Sequence, residues 1–193
     1  MLVDVFKQFN YLDIVILIIL FRICYIALKM GLAIEFFKLS GVLCAIYIAS
    51  HYYITLTDII RNHYFPKVMP LKFMDFITFL ILAALTNLGF VFLRSIFYRF
   101  MKMEAAPKIN KFGALFFGLA RGYFSIGLLI YVLMISSVSY LNNSVKHSYL
   151  GSRASLISAQ TYRWLWDSIF SKFSPQERPN LVVNEASGNL ISK

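Results

Sequence analysis

The sequence predicts an all-α integral membrane protein: four transmembrane helices in two hairpins, then an amphipathic helix and a disordered tail. Three observations carry this. Of 193 residues, 59% are apolar and only 15% charged, and the mean hydropathy is +0.68. Soluble domains carry about 25% charged residues, so a water-soluble enzyme of this size is excluded. Four stretches, residues 9–28, 32–53, 73–93 and 112–141, each supply the roughly 20 apolar residues that a hydrocarbon core of ~30 Å requires. Beyond them the apolar positions first fall on one helical stripe and then thin out. The expected domains are thus a membrane domain over 1–145, a linker and amphipathic helix over 146–173, and a tail over 174–193.

The first span is expected to remain in the mature protein. Asp4 and Asp13 spoil the basic leader of a signal peptide, no small-residue cleavage site ends the stretch, and three more spans follow. Lys29, Met30 and Gly31 separate spans one and two so narrowly that a tight antiparallel hairpin is expected. Residues 55–70 carry Asp58, Arg61, Asn62, Pro66 and Pro70 and read as a short extramembrane loop. Residues 94–111 hold Arg94, Arg99, Lys102, Lys108 and Lys111 against Glu104 alone, the most basic connection in the chain.

Lys and Arg near span ends set orientation. The side of the first and third connections has Arg22, Lys29, Lys38, Arg94, Arg99, Lys102, Lys108 and Lys111; the other has Lys7, Arg61, Lys67, Lys72, Lys146 and Arg153. The denser side is read as cytoplasmic, which puts both chain ends outside the cytoplasm. The excess of 19 Lys and Arg over 9 Asp and Glu, a net charge of +10, therefore points to lipid headgroups and topology rather than to nucleic acid.

In the region after the spans, Tyr162, Leu165, Trp166, Ile169, Phe170 and Phe173 fall on one helical stripe, with Arg163, Asp167, Ser168, Ser171 and Lys172 off it. An interfacial helix, or one docked on the bundle, is expected, with Trp164 on its polar face. Residues 174–193 lack the apolar content to fold alone.

Ionisable groups inside a bilayer need a partner, an escape to the interface or a task. Arg22, Glu35, Lys38 and Arg121 fall in the inferred cytoplasmic half. Glu35 precedes Lys38 by three residues and can pair with it, or it can face Arg121 or Arg22 across the bundle. Three cations with one carboxylate leave this layer at net +2, suited to an anionic solute or a lipid phosphate. The plainer alternative is snorkelling by Arg22 and Lys38 beside a structural Glu35–Arg121 pair. Asp13, His51, Lys72 and Asp75 form a second layer at the opposite ends. There Asp13 and Asp75 suit helix N-termini, or either pairs with His51 in a proton relay, or His51 belongs to an interfacial aromatic belt with Tyr52 and Tyr53.

Small residues mark close helix packing. Ala114, Gly118 and Gly122 repeat every four residues along span four, and Ala27 with Gly31, like Ala45 with Ala49, do so in the first hairpin. The span-four face is expected to serve contact inside the bundle or between copies of the chain. Cys24 and Cys44 lie in apolar stretches and offer neither a disulfide framework nor metal spacing. No catalytic triad, phosphate-cradling glycine loop or cofactor motif is present, so no catalysis and no cofactor are expected.

Asp13 at the start of span one, Gly31 and Glu35 at the start of span two, and Gly118-Leu119-Ala120-Arg121-Gly122 in span four resemble the colicin V production protein (CvpA) family of bacterial inner-membrane proteins. Ala49-Ser50-His51-Tyr52-Tyr53 and the late Arg163-Trp164 with Asp167 are also similar, and the likeness spans residues 11–167. Asn110-Lys111 stands where the family often has Asp-Arg, and Ala114 where it has glycine. The family's Arg-rich turn before the Glu is reduced to Lys29 and Ile34. The resemblance implies an inner-membrane factor for colicin V production or export and for envelope homeostasis, with no established chemical activity. The same four-span unit also occurs fused to a periplasmic serine protease, which implies an outside C-terminus. Expected partners are the lipid bilayer and a second copy of the chain or another inner-membrane protein. The alternative is a small oligomeric channel or transporter subunit for ions or small anions.

Overall fold

A computed structural model of the chain describes residues 10–63, 70–100, 107–136, 138–173 and 177–183. Every regular element among them is helical. The helices are α1 (Tyr11–Met30), α2 (Leu32–His63), α3 (Leu71–Phe100), α4 (Pro107–Ile135), α5 (Ser139–His147) and α6 (Tyr149–Leu165). A π-helical turn, Trp166–Phe170, carries α6 on into Ser171–Phe173. The first four helices are long and apolar enough to cross a membrane.

α2 and α3 are longer than the sequence pattern suggests. α2 runs on to His63 because no Gly or Pro interrupts residues 54–63, so the start of the expected 55–70 loop is helix. At 32 residues it is about 48 Å long, well beyond a hydrocarbon core of ~30 Å. Likewise α3 continues to Phe100, and α4 opens at Pro107, the first-turn position where proline's missing N–H costs nothing. Residues 64–69 and 101–106 lie outside the described residues.

α4 ends earlier than the expected 112–141 span. The chain bends at Ser136, whose hydroxyl accepts a hydrogen bond from Val138 N–H at 3.3 Å. A serine that bonds the backbone locally offers it an alternative to the helix ladder. α5 and α6 follow, hinged at Ser148, which ends one and caps the other by accepting from Gly151 N–H at 2.8 Å. The helix that carries the expected stripe thus starts at Tyr149, within the expected 146–173 region.

Packing also departs from two plain hairpins. α2 is central, lying against α3 and α4, whereas α1 packs chiefly on α4 and touches α2 little. Gly31 turns the chain between them at φ +88°, a conformation that L side chains rarely adopt. A single turn residue leaves no slack for α1 and α2 to lie along one another, so α4 takes the contact. The lower exposures all face inward, and the outer surface is apolar: Phe21, Phe92, Phe112 and Phe116 are each largely exposed. In water that surface would be untenable; in lipid it is the solvent-matched one.

α6 docks on α4, α2 and α1. Tyr162, Leu165 and Trp166 of the expected stripe are buried, while Phe173 at its far end and Trp164 on the other face are exposed. The tail is not uniformly loose. Residues 177–183 return to the bundle, Val183 is fully buried in the main core with Tyr47 and Tyr162, and Asn180 is tied to α2 and α6. Composition hides this because the partners are on α2 and α6. Residues 174–176 and 184–193 lie outside the described residues.

Candidate functional site

Three polar centres sit within or at the ends of the spans. The first is built on Glu35, in the first turn of α2 and wholly buried. Its Oε1 accepts from Lys38 Nζ at 2.7 Å and its Oε2 accepts from Arg121 Nε at 2.8 Å. Lys38 is three residues on along the same helix face, while Arg121 reaches across from α4. Both bonds are charge-assisted, and in a low-dielectric setting neither cation is dispensable without leaving the carboxylate underpaired. Arg22 does not join them: it lies exposed on α1, because the rotation of that helix turns Ile23 and Ala27 inward instead.

Small residues make the α4 arm of this centre possible. A Cβ added at Gly118 would stand 2.3 Å from Ala27 Cβ of α1 and 3.7 Å from Glu35 Oε2. Ala114 is fully buried, and a Cβ at Gly122 would meet Ile23 at an ordinary 3.5 Å. All three residues of the stripe are buried within the bundle, Gly118 and Gly122 against α1. Gly31 has its own close neighbour, since a Cβ there would come within 2.9 Å of Asn110 Oδ1. That oxygen accepts from Leu32 N–H at 2.7 Å and so caps α2 from α4. Asn110 supplies a neutral acceptor there, a contact that the sequence pattern alone did not reveal.

The second centre is Asp13. It completes a capping box, with Asn10 N–H donating to its Oδ2 at 2.8 Å and the Asn10 side chain accepting from Tyr11 N–H at 2.7 Å. The same carboxylate also serves α6. Ser148 Oγ donates to Oδ1 at 2.6 Å, Leu150 N–H donates to Oδ1 at 2.7 Å, and Tyr149 N–H reaches Oδ2 at 3.3 Å. One buried carboxylate thus closes the N-termini of two helices, each with a partial positive charge aimed at it. Its bonded partners include neither His51 nor Asp75.

His51 forms the third centre, enclosed by aromatic rings. It stacks on Trp166 at 5.2 Å and on Tyr47 at 5.5 Å, and Tyr52 meets it edge-on at 4.6 Å. Its Nδ1 and the Tyr162 hydroxyl are 2.9 Å apart, its Nε2 and Glu177 Oε2 3.2 Å apart. Asn180 N–H donates to the Tyr162 oxygen at 2.9 Å, an arrangement in which the Tyr162 O–H is free to donate to Nδ1 and an Nε2–H to Glu177. Burial among these groups holds the Tyr162 hydroxyl above the usual tyrosine range. Asp75 stands apart on α3, beside Thr57 and Asp58. Lys72 is exposed at the start of the same helix. The second layer read from the sequence is thus three separate sites.

An Asp13→Ala chain should lose about 2–4 kcal/mol of stability, because the Ser148 hydroxyl and three backbone N–H groups lose their acceptor together. Thermal melting of the purified chain in detergent checks this; unchanged melting would mean water or neighbouring groups satisfy both helix ends.

Four apolar spans, ionisable groups paired inside them and an outer surface of exposed Phe and Leu define a multi-pass membrane protein. The model of the family described as colicin V production protein matches residues 12–173. That is most of the chain, and the protein belongs to this family. No curated protein and no solved structure matches it.

Proposed function

We propose that this chain is a non-catalytic factor of the bacterial inner membrane, acting in colicin V production or export and in envelope homeostasis. The family match over residues 12–173 carries the reading. It is supported by how the family-like residues are used: Asp13, Glu35, Gly118 and Arg121 are all engaged in ion pairs, helix caps or close helix contact. Their roles are architectural, as expected of a scaffold that holds or presents other membrane components. The chain ends are placed outside the cytoplasm, on the density of cations in residues 94–111. The Asp13–Ser148 contact agrees with this arrangement, since it holds the start of α1 and the start of α6 on one side of the membrane after four crossings. A partner, whether a second copy or another inner-membrane protein, would dock on the exposed apolar flanks, the small-residue face being taken.

The test is complementation of a strain lacking the gene, read as the zone of growth inhibition around toxin-producing cells and as survival in detergent. The intact chain should restore both, and Arg121→Ala should restore neither. Restored export by Arg121→Ala at normal protein levels would detach the function from this architecture. A second reading, a small channel or transporter subunit for anions, is favoured by the cations beside Glu35. Anion flux through liposomes holding the purified chain, abolished by Arg121→Ala, would replace the first reading with this one.

A further inference from the structure

We propose that Lys38, Arg94 and Arg121 form a binding site for a phosphate-bearing anion, drawn from a phospholipid headgroup or from a free phosphate. The site goes beyond the toxin-production reading and does not rest on it. These three cations line one pocket of about 110 Å³ between α2, α3 and α4, together with Asn87 and Phe90. Val91, on its rim, is half exposed, so the pocket communicates with the outside of the bundle.

Charge is unbalanced there. Glu35 is the one carboxylate bonded to these cations among the described residues, and both of its oxygens are already engaged. Against it stand three cations, which leaves net +2 in a setting where an unpaired cation is costly. Arg121 spends only Nε on Glu35, so both of its terminal nitrogens lack a protein acceptor among the described residues. Its side chain is nonetheless only 15% exposed. Arg94, half-buried, makes no ion pair among the described residues, and Lys38 uses one of three ammonium hydrogens. Two guanidinium forks and an ammonium around one pocket match the several oxygens of a phosphate group, which guanidinium binds in pairs of parallel hydrogen bonds. The apolar wall of Phe90 and Val91 suits an ester whose organic part stays in or near lipid.

The purified full chain in phosphatidylcholine nanodiscs provides the test. In one arm phosphatidylglycerol is added and the lipid retained on the protein is measured by native mass spectrometry. In the other, inorganic phosphate is titrated and the melting temperature followed. Binding is expected in at least one arm, and which arm responds identifies the source. Arg94→Gln should weaken that binding about tenfold. Its melting in phosphatidylcholine alone should match the parent, because Arg94 makes no ion pair among the described residues. Arg99→Gln, which removes an exposed cation from the same helix outside the pocket, should leave binding unchanged. Arg94→Lys, which keeps the charge and loses the guanidinium fork, gives a second reading should Arg94→Gln fail to fold. Absence of binding in both arms, or equal losses from Arg94→Gln and Arg99→Gln, overturns the site.

Discussion

Arg121→Ala should destabilise the helix bundle by ~3–5 kcal/mol, the cost of removing one partner from a buried ion pair. Glu35 stays fully buried in that variant, with Lys38 alone to balance it. Lys38 cannot substitute for the missing bond, since it approaches Oε1 from along its own helix and leaves Oε2 facing the vacated α4 site. A double variant, Glu35→Leu with Arg121→Leu, should lose less than the sum of its parts, because no charge is then left stranded. Melting temperatures of the four chains in detergent close the cycle. Additive losses would show that Glu35 and Arg121 are neighbours without energetic coupling.

Gly118→Leu should separate α1 from α4. Even the first carbon of the new side chain would lie 2.3 Å from Ala27 Cβ, an atom held one bond from the α1 backbone rather than a flexible side-chain end. Overpacking of this kind costs ~3 kcal/mol or more when neither side can yield. Gly118→Ala should already be harmful, while Gly122→Ala, whose Cβ would meet Ile23 at 3.5 Å, should be nearly neutral. Protease protection of α1 in the reconstituted chain reads the difference. Equal protection in Gly118→Leu and Gly122→Ala would mean that α1 and α4 are not in close contact in the membrane.

How much of this was legible depends on how far each feature reaches. The four spans were, because length and apolarity are properties of a segment alone. The Glu35–Lys38 pair was, because three-residue spacing fixes a shared helix face. Arg121 stood among two possible cross-bundle partners for Glu35, and only the rotation of α1 removes Arg22. Asp13 reads as a helix cap locally, but its second helix begins 135 residues later and no local pattern announces it. Ser148 did leave a trace, as a serine just before a helical stretch with its hydroxyl available to Gly151 N–H. The return of residues 177–183 left none, since Asn180 and Val183 are unremarkable until Ser50, Tyr47 and Tyr162 surround them.

The span of the Asp13–Ser148 contact has a consequence for biosynthesis. Ser148 leaves the ribosome 135 residues after Asp13, on the order of ten seconds later at typical elongation rates of about 5–20 residues per second. Of the four donors that bond the Asp13 carboxylate in the folded chain, only Asn10 N–H has been made during that interval. The clasp forms only when translation has passed the fourth crossing, so it depends on all four spans having been made. A nascent chain cut short before Ser148 would lack three of the four donors that close on the Asp13 carboxylate.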